Sequence, residues 1–261
     1  MIRLQINPAF VDLLRSSNLH GYHQIMQTSV GTVVEENSLR DVRRLDLGES
    51  NFYLKRTRAE KFSSALESYC RGRLAHSRPF KEMMQFRLLD QLGFDVAEVV
   101  AAGEELRLGV PLKGFIITLE VPGQDLSRVY RDADKAARNS IMVDFGSLLG
   151  RLHGKGFFGS TRLKDIISTG KPGDSLKLTL IDRETRNPYR KQATRDKVIA
   201  RLLFNIRRQA RQGEIFTAGE WESFTDSYCR SLDGDFGIDA KDLSNEILTL
   251  LERPGKEYLA K

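Results

Sequence analysis

Residues 152–167 read LHGKGFFGSTRLKDII and residues 178–184 read LTLIDRE, and the architecture turns on these two stretches. Upstream of them, Ile141, Met142, Phe145, Leu148, Leu149 and Leu152 recur at helical spacing, which predicts a helix from 134 to 153. The chain then crosses a glycine-rich, loop-like segment from 154 to 175. It enters a short apolar strand, KLTLI at 177–181, and leaves it on Asp182. A carboxylate at the C-terminal end of an apolar strand, following a polar loop, is an arrangement that suits chemistry better than packing.

Working outward, the first half has strand character. Residues 22–36 are rich in Val, Thr and Ile around Gly31, and 39–47 alternate apolar and charged residues. A turn composition at 48–51 separates them from FYLKR at 52–56, so the three segments predict an antiparallel meander. Helices are expected at 59–73 and after Pro79, where Phe80, Met84, Leu88 and Leu92 recur every fourth residue up to Gly93. Two further strands, 96–101 and 114–121, complete a βββααββ half that Pro122-Gly123 interrupts. Beyond it, further helices are predicted around Val198–Ile206, at 221–231 and at 242–251. The expected division is a sheet-rich lobe at 1–121 and a mostly helical lobe at 122–261, with a cleft between them.

Composition narrows the class. Forty per cent hydrophobic and 29% charged residues describe an ordinary globular chain of 261 residues and exclude a disordered tail or a fibre. Two cysteines, Cys70 and Cys229, cannot build a disulfide framework or a four-cysteine zinc site. No segment approaches the ~20 apolar residues of a membrane span, and the start, MIRLQINPAFVDLL, lacks the apolar core of a secretory signal. A soluble cytoplasmic protein is the expectation. The net charge of +6 permits an anionic partner without choosing one. Nucleic acid is disfavoured, because Tyr189 and Phe204 do not interleave with the basic run as a stacking surface requires.

Four features line up in chain order: Lys55 on the third strand, Glu82 early in the next amphipathic helix, the segment 152–167, and Asp182 at its strand end. Taken singly, a strand lysine is an ordinary solvated residue and a helix glutamate merely favours the macrodipole. Taken together with FYLK, RPFKEMMQFRLLDQLGF, VAEVVAAGE, ITLEVPGQDL and TRDKVIARLLFN, they resemble the bacterial lipopolysaccharide kinases of the Kdo/WaaP family. The resemblance runs from about Gly31 to Asn205 and implies an α+β, two-lobed protein-kinase-like fold with an antiparallel-sheet N-lobe and a mostly helical C-lobe.

That resemblance implies cofactors and roles. Lys55, fixed by Glu82, would meet the phosphates of ATP. Asp182 would hold Mg²⁺, with Asp165 at the position of a second ligand. Glu120 and Val121, with Pro122, would form a hinge against adenine, and Gly31 would be the glycine of a weak phosphate loop. The partners implied are the lipopolysaccharide core oligosaccharide or its assembly enzymes, with the protein peripheral at the inner face of the cytoplasmic membrane. The basic residues Arg183, Arg186, Arg190, Lys191, Arg195, Lys197, Arg201, Arg207, Arg208 and Arg211 would offer that anionic partner a platform, although a solvated helix face is the plainer reading.

One position departs from the family. Its catalytic triplet, His-Arg-Asp or His-Gly-Asp, is here Phe158-Gly159-Ser160. A serine hydroxyl is neutral at pH 7 and does not serve as a general base. His153, seven residues earlier, is the candidate substitute base but better suits a buttress of the loop. The sequence therefore predicts a nucleotide-binding protein with impaired catalysis. An active atypical sugar kinase and a scaffold that binds no nucleotide are the alternatives.

Overall fold

Along FYLKR, alternate side chains go to opposite faces of a strand. Phe52 and Leu54 are buried in one cluster with Leu14, Tyr22, Ile25, Leu45 and Phe115, so Lys55, between Leu54 and Arg56, points to the other face. The computed structural model that contains this strand describes residues 1–60, 75–170, 176–183, 188–210 and 216–251. Among these residues the chain divides into two compact units, one built from Met1–Val121 and the other from Pro122–Arg183 with the helices that follow.

The first unit is a six-stranded antiparallel sheet in the order β1-β5-β6-β4-β3-β2. Its strands are β1 (Ile2–Ile6), β2 (Thr32–Glu36), β3 (Arg40–Leu47), β4 (Ser50–Thr57), β5 (Val99–Arg107) and β6 (Val110–Leu119). Short helices α1 (Val11–Ser16) and α2 (Tyr22–Gln27) put Leu14, Tyr22 and Ile25 into the Phe52 cluster. Helix α3 (Arg78–Asp90) starts on Ser77, whose Oγ accepts the Phe80 N–H, with Pro79 in its first turn. The predicted helix at 59–73 lies almost wholly outside the described residues, as does Cys70.

Two expectations need correction. Residues 22–36 do not form one strand, because 22–27 are helical. The cause is distant in sequence: the Arg56 guanidinium donates to the carbonyls of Ile25, Met26 and Thr28 at 3.2, 3.1 and 2.7 Å. It thereby satisfies the orphan acceptors at the helix end. Arg56 is itself held by Asp41, with Nε 2.9 Å from Oδ2, and both residues are buried. The buried stripe of α3 is also not the one predicted. It runs through Phe80, Met83, Phe86 and Leu89, while Met84, Leu88 and Leu92 are only partly covered.

In the second unit, α4 (Leu126–Asp132) precedes the long helix α5 (Lys135–Gly154), capped by Asp134 as its side chain accepts the Ala137 N–H. Helix α5 ends in a Schellman arrangement: Phe157 N–H bonds Leu152 C=O at 2.8 Å and Gly156 N–H bonds His153 C=O at 2.9 Å. Gly156 supplies the left-handed residue, φ +82°. Helices α6 (Arg195–Ala210), α7 (Ala218–Arg230) and α8 (Ala240–Leu251) follow, and α5 packs against α7. The segment 154–175 is not all loop, since Ile166–Thr169 forms β8, between β7 (Gln124–Asp125) and β9 (Lys177–Leu180). Among the described residues, no helix is long and apolar enough to cross a membrane.

Removing Arg56 takes from buried Asp41 the nearest of its three guanidinium partners among the described residues, Arg43 and Arg58 remaining at 3.4 and 3.3 Å, and leaves three carbonyls without their donor. Arg56→Met is therefore expected to lower unfolding stability by about 3 kcal/mol in urea titration. The double variant Arg56→Met/Asp41→Leu should recover little of that loss, because the carbonyls of Ile25, Met26 and Thr28 stay unpaired and Arg43 and Arg58 lose their carboxylate.

Candidate active site

The sequence-predicted residues fall into the two units. In the first, Lys55 Nζ donates to Glu82 Oε1 at 2.8 Å. The pairing follows from the pleat of β4 and from α3 lying over the sheet, with Glu82 buried in the second turn of that helix. The Glu120 carboxylate takes Arg44 in a two-pronged bond, Nε to Oε1 at 3.1 Å and Nη2 to Oε2 at 3.0 Å, and also accepts from Tyr53 Oη at 3.1 Å. The Arg44 fork holds the Glu120 carboxyl below the usual carboxylate range. Glu120 N–H is donated to Asn51 C=O at 2.8 Å, and Pro122 has no N–H. Val121 is thus the N–H donor on the segment 120–122.

Gly31 stands ahead of β2, not in the turn joining β2 to β3. It needs to be glycine for a local reason: its φ is +86° and a Cβ there would come within 2.3 Å of Arg44 C=O. The turn itself, Asn37-Ser38-Leu39, contains no glycine. Asn37 Oδ1 accepts the N–H groups of Leu39 and Arg40, each at 3.0 Å, so the turn's own side chain takes two amides a phosphate would want.

In the second unit, antiparallel pairing of Ile166 with Leu180 brings the start of β8 and the end of β9 to the same place. Ile181 N–H bonds Asp165 C=O at 3.0 Å, which fixes the backbones flanking Asp165 and Asp182. Asp165 is buried and held by Arg162 through three bonds: the Arg162 N–H at 3.0 Å and Nε at 2.7 Å to Oδ2, and Nη2 at 2.6 Å to Oδ1. The same Nη2 lies 4.0 Å from Asp182 Oδ2. Burial pushes the Asp165 carboxyl upward, the Asp182 charge adds to this, and Arg162 opposes it.

Whether these carboxylates suit a magnesium ion is a question of free acceptor sites. A carboxylate offers about four lone-pair sites, and Arg162 occupies three on Asp165. Among the described residues, no group of three or more His, Cys, Asp or Glu side chains is arranged to hold a metal. Asp165 as it stands does not fit the role of second ligand; Asp182, 40% exposed in its side chain, is the more open carboxylate.

Ser160 is buried, and its Oγ has no hydrogen-bond partner among the described residues. His153, seven residues earlier, is fully buried, its Nδ1 2.7 Å from Tyr228 Oη and its Nε2 3.4 Å from Asn205 Nδ2. Burial, with the charges of Arg183 and Arg201, lowers its pKa to about 3. Arg183, counted at the head of the basic platform, is instead buried with Nη1 2.5 Å from Thr161 Oγ1. Arg190, Lys191, Arg195, Lys197, Arg201 and Arg207 are exposed and Arg208 is half-buried, whereas Arg186 and Arg211 lie outside the described residues. Arg162 and Arg44 were not singled out from sequence; the R-L-K-D spacing, i to i+3 across a turn, was the available signal for the first.

The profile of the lipopolysaccharide kinase (Kdo/WaaP) family matches residues 24–228. The chain belongs to this family. Its fold is kinase-like: it matches a solved structure described as WaaP in complex with acyl carrier protein, with a TM-score of 0.63 and 16% identity over 95% of each chain. Comparison with curated proteins returned no significant match.

A buried histidine kept neutral in the fold but protonated when unfolded makes stability fall with acid. Its contribution is complete above the unfolded value of about 6.5 and is lost as the pH falls toward the folded value of about 3. The wild type should therefore lose about 1.4 kcal/mol per pH unit more than His153→Gln across the acid side of that window. Urea titrations of both proteins in this range are the check.

Proposed function

We propose that this member of the lipopolysaccharide kinase family binds ATP but is impaired in phosphoryl transfer, and that it acts in or beside assembly of the lipopolysaccharide core. The observation that carries the reading is Ser160, a neutral buried hydroxyl where the family places its carboxylate base. The neighbouring groups support it. His153 is enclosed between Tyr228 and Asn205 and stays neutral, which suits a buttress of the loop. Asp165 is engaged by Arg162. Neither is free to take the proton of an attacking hydroxyl.

Retention of nucleotide binding rests on Lys55 and Glu82. A lysine held 2.8 Å from a buried helix glutamate is an oriented point charge suited to phosphate oxygens. Val121 N–H is the donor the hinge segment offers to adenine. The phosphate loop contributes little, since Asn37 takes the turn amides. A loss of the base alone removes a factor of ~10²–10⁴ in rate, so residual transfer to a core sugar hydroxyl is the expected level of activity. The exposed arginines and lysines of the segment 190–207 suit an anionic partner such as the core oligosaccharide.

ATP should raise the melting temperature of the wild type and fail to do so for Lys55→Met. Transfer of the γ-phosphate to core oligosaccharide should be near background in the wild type and rise by up to ~10²-fold in Ser160→Asp. Fast wild-type transfer indifferent to position 160 would contradict the reading and favour an active atypical kinase. ATP binding unaffected by Lys55→Met would remove the lysine from the site.

A further inference from the structure

Three N–H groups of one arginine converge on one buried carboxylate, and the same guanidinium reaches toward a second. Arg162 Nε and Nη2 lie 2.7 and 2.6 Å from the two oxygens of Asp165, and Nη2 stands 4.0 Å from Asp182 Oδ2. Two carboxylates brought together by the β8–β9 pairing would repel one another. A cation between them relieves that repulsion, and here the protein supplies its own. Guanidinium stays charged at every pH a protein survives, and its planar fork matches carboxylate geometry better than a point charge does.

We infer that Arg162 is a resident cation that stands in for the divalent metal at the Asp165–Asp182 pair, so that nucleotide binding by this chain is independent of Mg²⁺. A metal that takes both oxygens of Asp165 has to displace bonds from Arg162, one of them the backbone N–H that closes the turn 162–165, and one that takes the remaining lone pair sits against the guanidinium. It must also lie beside the displaced positive charge or move it into solvent. Magnesium gives up its waters reluctantly and demands near-octahedral oxygen geometry. The one acceptor site left on Asp165 offers it a single ligand beside a full positive charge.

The test has two arms. In the first, Mn²⁺ alone is titrated into the full chain, and binding is read from the loss of the free-ion electron paramagnetic resonance signal. The wild type should bind Mn²⁺ weakly, Arg162→Gln should bind it about tenfold tighter or more, and adding Asp182→Asn should abolish the gain. Arg162→Lys, which keeps the charge but loses the fork, should fall between, and a preserved circular dichroism melt in either variant excludes misfolding. If the wild type already binds as tightly as Arg162→Gln, or if neither variant gains affinity, Arg162 is not what holds the metal out and the inference fails.

The second arm rests on the proposed nucleotide binding. ATP should bind the wild type equally in Mg²⁺ and in EDTA, and Arg162→Gln should bind it better with Mg²⁺. Wild-type binding that requires Mg²⁺ overturns the inference while leaving the nucleotide reading intact. No ATP binding under either condition removes the nucleotide reading and with it the nucleotide half of the inference, whereas the Mn²⁺ arm still judges the role of Arg162.

Discussion

The period-two pleat of β4 commits three consecutive residues to three environments, and the first unit depends on that commitment. Leu54 joins the apolar cluster beneath the sheet, Lys55 rises on the other face to Glu82, and Arg56 closes on Asp41 and on the end of α2. A slip of one residue would send Lys55 into the apolar cluster and Leu54 toward Glu82. Pairing on both sides, with β3 and with β6, makes such a slip prohibitive. The position of the lysine is thus a by-product of burying Phe52 and Leu54. The same strand that stabilises the unit also orients its charge.

The second unit solves a comparable problem by different means. Its loop from 155 to 165 is anchored at one end by the Schellman closure of α5 and at the other by the Asp165 carbonyl on Ile181 N–H. Just ahead of the loop, His153 forms a buried polar group with Tyr228 and Asn205, and within it Thr161 meets Arg183. These supports use backbone groups and side chains other than Ser160, so the loop keeps its path whether or not a carboxylate occupies that position. Shape and chemistry are separable here. With Ser160 in the loop, the chain still places Asp165 and Asp182 at one end of a small sheet, where Arg162 lies against both.

Long periodic segments and strand ends were legible in the sequence. Helix α5 has six apolar residues at helical spacing and a capping Asp134, and β9 ends within two residues of Asp182. What escaped had causes remote in the chain. The β-formers at 22–36 concealed α2, because the guanidinium that closes its end comes from Arg56. The stripe of α3 was misjudged since Met84 and Leu88 fit a four-residue repeat as well as Met83 and Leu89 do, and only the sheet decides between them. Arg183 reads as one more surface cation until its Thr161 partner is known. Arg162 stood in plain view, but its meaning required the β8–β9 register that brings two carboxylates within its reach.

The most direct test of the central claim, binding without efficient transfer, is a ³¹P nuclear magnetic resonance time course of ATP mixed with stoichiometric protein and deacylated lipopolysaccharide core. The account predicts phosphate resonances shifted and broadened by binding from the first spectrum, with ADP and a sugar phosphate accumulating at or near the rate of a protein-free control. Rapid conversion of ATP to ADP with a matching new phosphomonoester signal would contradict it, as would ATP resonances unchanged by the protein.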